Sequence, residues 1–148
     1  MKHQFRVTLL GLFCMLALSA VMAGCGTAAP AGPAISITSP AAGATVSGAT
    51  TKIEVAVTNF NLVDANIAPK DGEGHLHFFI DVPASSVAVG QVIPLDDASK
   101  YVHAGKAPYN TRDIPLAKGK HTITVVAANA AHIALAQPAP VSVTFTVQ

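Results

Sequence analysis

An all-β fold, an antiparallel β-sandwich of about seven short strands, is what this 148-residue sequence predicts, and three observations carry the prediction. Apolar and polar residues alternate with a period of two from Ile35 onward, the mark of half-buried strands. Proline and glycine punctuate the chain at short intervals from Pro40 to Pro115, which leaves room for turns between strands. No long window carries helical spacing. The length suits one domain and one core.

The leader comes first. Lys2 and Arg6 give a positive start, Val7 to Val21 an apolar run, and Ala23-Gly24 a small-residue approach to Cys25. This pattern predicts a secretory signal peptide over 1–24. Val21-Met22-Ala23-Gly24-Cys25 resembles the bacterial lipobox, with Met22 where leucine is usual. That resemblance implies a diacylglycerol on the Cys25 thiol. The protein is then exported and lipid-anchored to the cell membrane or the outer membrane, facing the periplasm or the exterior. Residues 25–34 read as the lipidated cysteine and a flexible stalk, because Gly26 to Pro33 are all Gly, Thr, Ala or Pro and bury no core. The sandwich domain is assigned to 35–148.

Within it, Ile35/Ile37, Ile53/Val55/Val57 and Val141/Val143/Phe145/Val147 form alternating strands. A strand from about Gly74 to Val82 sets Leu76, Phe78, Ile80 and Val82 on one face, with His75, His77, Phe79 and Asp81 on the other. His121 to Ala128 makes a further strand, entered through the turn at Lys118-Gly119-Lys120. Ser39-Pro40 through Gly48 looks like the opening of bacterial immunoglobulin-like domains, and Leu116 through Thr122 is similar to the turn into their sixth strand. His121 stands where a tyrosine usually sits, which implies a structural corner held by a bond to nearby backbone. A wider set resembles the DUF4399 type of uncharacterised exported domain. It comprises Gly72 through Asp81, Tyr101 through Lys106, Gly119 through Thr122, and His132 followed by Pro138. The resemblance implies export and a β-fold, with no activity attached.

Charge excludes some partners. Lys2 and Arg6 fall in the leader, so seven basic residues face eight acidic ones in the remainder, with no basic patch for nucleic acid. Both cysteines, Cys14 and Cys25, and all three methionines precede the domain. The domain therefore has no disulfide, thiolate or thioether. No serine sits in a glycine elbow and no glycine-rich loop is built to cradle phosphate, so an enzyme is not expected. Asp96-Asp97 reads as a solvated turn, with calcium as the other use of paired carboxylates.

Five of the six histidines, His75, His77, His103, His121 and His132, lie in the domain. His75 and His77 are two apart on one strand face, so two imidazoles can reach one ion, and neutral imidazole suits copper(II) or zinc. His103, His132 or Asp81 are the candidates to complete such a site. Two functions remain open. One is a lipid-anchored binding module for copper(II) or zinc. The other is a structural or interaction module that meets an envelope protein and holds no metal, its histidines serving turns and the solvent-facing side of a sheet. Gly74-His75-Leu76-His77 also resembles the Gly-X-His-X-His element of copper–zinc superoxide dismutases, but the chain lacks their long zinc-bearing loop and disulfide cysteine.

Overall fold

The computed structural model describes residues 31–148. The leader assigned to 1–24, Cys25 and the stalk up to residue 30 lie outside the described residues. Ala34, the last residue assigned to the stalk, already begins the first strand.

Nine strands are described: β1 (Ala34–Ser39), β2 (Thr45–Val46), β3 (Thr51–Thr58), β4 (Asn61–Leu62), β5 (Glu73–Ile80), β6 (Tyr101–His103), β7 (Thr111–Ile114), β8 (Gly119–Ala128) and β9 (Val141–Val147). They form two sheets, one in the order β1-β3-β7 and the other β2-β9-β8-β5-β4, with β6 also paired to β5. The molecule is a β-sandwich. Ile35, Ile53, Val55 and Ile114 from the smaller sheet pack against Leu76, Phe78, Ile123, Val125, Val143, Phe145 and Val147 from the larger one. These are the inward residues of each period-two pattern, and closing them off from water is the main force holding the sheets together.

The strand count and direction differ from the expectation of about seven antiparallel strands. β2 runs parallel to β9, and β4 runs parallel to β5. Both are two-residue pieces laid down where the chain changes sheets: β1 and β3 belong to the smaller sheet, β2 and β4 to the larger. A crossing of this kind brings the chain in alongside a strand in its own direction, and two residues are too few to show a period.

A second departure matters more for function. The outer face of the larger sheet is covered over β5 and the end of β8, while Ser142, Thr144 and Thr146 of β9 leave the rest of it open to solvent. Phe79, Val126 and Ala128 on that face pack with Ile93 and Ala134, which come from the irregular segments that follow β5 and β8. The rings of Phe79 and Tyr101 meet edge to face, 4.9 Å apart. β5 is therefore buried along almost its whole length, on both faces. Among the described residues no helix is long and apolar enough to cross a membrane.

Candidate metal centre

His75 and His77 stand on the outer face of β5, as strand parity requires, and both are fully buried. β8 runs along one side of them, with Ala128 opposite His75 and Val126 opposite His77. β6 lies on the other side and sets His103 directly opposite His77. Gly74 allows this close approach. A Cβ there would stand 2.0 Å from the Ala128 carbonyl oxygen, so any side chain would push β5 away from β8.

His132 reaches the same place from the turn after β8. Asn129 builds that turn: its side-chain oxygen accepts the N–H groups of Ala131 and Ile133, at 3.0 and 3.1 Å. The His132 N–H donates to the Asn129 carbonyl at 2.9 Å, and the His132 carbonyl accepts from Ile93 at 2.9 Å. His132 is held at φ 61°, in the left-handed region that costs a non-glycine residue roughly 1–2 kcal/mol. A strained conformation of this kind persists only where the surroundings impose it, and it is common at binding sites.

Three nitrogens meet here. His77 Nε2 lies 3.0 Å from His75 Nε2, His75 Nε2 lies 3.1 Å from His132 Nδ1, and His132 Nδ1 lies 3.5 Å from His77 Nε2. The other nitrogens of the first two rings, His75 Nδ1 and His77 Nδ1, are buried without a hydrogen-bond partner. Burial is the main cause that lowers the pKa of His75 to about 4 and of His77 to about 2, with the neighbouring histidines adding to it. Both rings are thus neutral near pH 7, as ligands must be. His132 is lowered by burial and then by His103, and His103 by burial and then by Arg112.

The other residues singled out in the sequence fall elsewhere or at the margin. His103 is exposed. Its ring centre lies 5.7 Å from that of His77 and 5.3 Å from that of His132, but its nitrogens stand outside the group formed by the other three. Asp81 shares the face parity of His75 and His77 but not their site. β5 ends at Ile80, the chain turns at Asp81 with φ 55°, and the carboxylate accepts the Thr122 N–H at 2.7 Å and pairs with His121 Nδ1 at 2.8 Å. His121 Nε2 in turn donates to the Ala117 carbonyl at 2.8 Å, closing the turn into β8. Asp97 caps its own turn, accepting from the Ser99 N–H at 3.1 Å and from Lys100 at 2.8 Å. Sequence reasoning passed over Asn129 and Arg112. The signal for Asn129 was legible, since asparagine three residues before a histidine in a strand-connecting loop is an organiser of turns.

Fold and site together define a β-sandwich with a buried histidine cluster on the outer face of its larger sheet. The chain belongs to the DUF4399 family, a domain of unknown function, whose family model matches residues 53–148 and so takes in all five histidines of the domain. No curated protein matches the chain. Among solved structures it is similar to an engineered protein crystallised by the Northeast Structural Genomics Consortium, with 21% identity and a TM-score of 0.45. That match covers 81% of this chain and 21% of the other, so the chain spans about a fifth of that protein's length.

Proposed function

We propose that this domain is a binding module, not an enzyme, and that it holds one transition-metal ion through His75, His77 and His132. Copper(II) and zinc suit three neutral imidazoles in a site without sulfur. The observation that carries the proposal is the triangle of nitrogens, 3.0, 3.1 and 3.5 Å on its sides.

Without an ion, each nitrogen either carries a proton or offers a lone pair, and three corners cannot alternate between two kinds. At least one side must set like against like, in a buried place where water gives no relief. A cation accepts all three lone pairs at once and removes that conflict. The triangle also has the size of a metal site. The three corners lie about 1.9 Å from a common centre, slightly less than the roughly 2.0–2.1 Å of a metal–imidazole bond. Held by the three nitrogens at that bond length, an ion would keep a fourth tetrahedral position free. With the lone pairs of Nε2 turned to the ion, the Nδ1–H groups of His75 and His77 lack acceptors, and metal-binding histidines normally have one.

The same proposal places the domain outside the cytoplasm, tethered by lipid on Cys25, with the membrane and an envelope protein as its contacts. Titration calorimetry of the full-length protein with zinc and with copper(II) tests the metal site. One ion per chain is expected, with affinity reduced at least 100-fold in His77→Ala and unchanged in His121→Ala. Equal affinity in wild type and His77→Ala would sink the site.

A further inference from the structure

We propose that His103 is the fourth, exchangeable ligand of the cluster, the position through which the ion enters and leaves. This rests on the metal-binding reading above and goes beyond it by assigning the free coordination position and the route.

The four imidazoles of His75, His77, His103 and His132 already approximate a tetrahedron. Their ring centres are separated by 4.8, 6.1, 4.8, 5.7, 5.5 and 5.3 Å. Four imidazoles around one ion place their ring centres about 5.2 Å apart, because each centre lies about 3.2 Å from the metal. The observed separations scatter about that value, and the longest two involve His103. Its ring occupies the fourth corner but stands slightly back. Its nitrogens fall short of the three that converge, so a turn of the side chain separates an open site from a closed one.

The surroundings of His103 differ from those of the other three in the way an exchangeable ligand requires. His75, His77 and His132 are buried, and His103 faces solvent from the edge strand β6. Its backbone is nevertheless firmly held. Arg112 Nε donates to the His103 carbonyl at 3.1 Å, while the same guanidinium donates to the carbonyls of Lys106, Pro108 and Thr111, at 3.3, 2.8 and 3.1 Å. Gly105 gives the ring its place. A Cβ there would lie 2.7 Å from His103 Cδ2 and 3.0 Å from its Nε2, so a larger residue would displace the ring. The backbone is fixed, and the exposed ring packs directly against Gly105. His103 thus moves between solvent and the fourth corner while the three buried nitrogens keep their positions.

Cobalt(II) is the probe, because its visible absorption reports ligand number and symmetry. The full-length wild type should show the strong bands of a tetrahedral nitrogen site. His103→Ala, checked for native fold by circular dichroism, should still bind cobalt but with altered bands, and added imidazole should restore them. Release of the ion to a chelator should be at least tenfold faster in His103→Ala than in wild type, with Gly105→Ala in between. Identical bands and release rates in wild type and His103→Ala would overturn this assignment while leaving the three-histidine site standing, provided His77→Ala abolishes the bands. A wild type that binds no cobalt would overturn both readings.

Discussion

The metal-free protein should be most stable somewhat above pH 6.5, near neutrality, and lose stability on either side, for two opposite reasons. His75 and His77 are buried and neutral, with pKa values lowered to about 4 and about 2. Below pH 6.5 the unfolded chain takes up protons on these residues and the folded chain does not, so acid favours unfolding. Each such histidine approaches a loss of about 1.4 kcal/mol per pH unit, and the pair nearly twice that. The loss continues for both down to about pH 4, where the folded chain begins to protonate His75, and for His77 further down. His121 acts in the other direction. Burial opposes its charge, but the bonds to Asp81 and the Ala117 carbonyl win and raise its pKa. Both partners are acceptors, so only the protonated ring satisfies both. Its contribution is complete below about pH 6.5 and is lost as pH rises through the raised value. Urea denaturation with a chelator present, at half-unit steps from pH 8 to pH 5, measures both arms before most carboxylates titrate. His77→Leu should reduce the acid slope, and His121→Asn should flatten the alkaline arm. A stability that stays flat between pH 6.5 and 5 in the wild type would refute the claim that these rings are held neutral by burial.

Three further outcomes are expected. In Gly74→Ala the new Cβ meets backbone on β8, 2.0 Å from the Ala128 oxygen and 2.9 Å from its carbonyl carbon. The cost should lie at or above the upper end of the usual 1–3 kcal/mol for overpacking, seen as a lower urea midpoint, and zinc affinity should fall because His75 is the next residue. In Asn129→Ala the exposed N–H of Ala131 and the half-buried N–H of Ile133 lose their side-chain acceptor, which should cost about 1 kcal/mol and weaken zinc binding, with His75 and His77 untouched. An unchanged calorimetric titration would show that the turn does not position His132. In Cys25→Ser the protein should no longer take up labelled palmitate in cells, and labelling equal to that of the wild type would contradict the lipid tether.

Much of the architecture is legible locally. The alternation in Val141–Val147 and in Ile53–Val57 marks strands whose inward residues form the core, since a half-buried strand needs only a period of two. The same rule set His75 and His77 on one face before any contact was known. It misled in one respect, because that face looked like one facing water. A pattern of His, His, Phe and Asp does not reveal that Ile93 and Ala134, distant in sequence, fold over it. Asp81 shows the complementary limit. Parity grouped it with the histidines, but it lies about 13 Å along the strand from His77, beyond the strand's end, where it pairs with His121.

By itself, then, the sequence determined a β-sandwich, the face shared by His75 and His77, and the absence of sulfur from the domain, so that any metal chemistry there rests on nitrogen and oxygen. Tertiary structure alone decided that the face is dry, that His132 meets the pair within 3.5 Å, and that His103 stands opposite His77 at the exposed edge. The physical reason is range. Periodicity records which side of a strand is apolar, and it acts over a few residues. Convergence of histidines 55 and 57 positions apart depends on strand register, a strained turn and the loops that cover the sheet, and each of these is set by contacts between segments that local pattern does not connect.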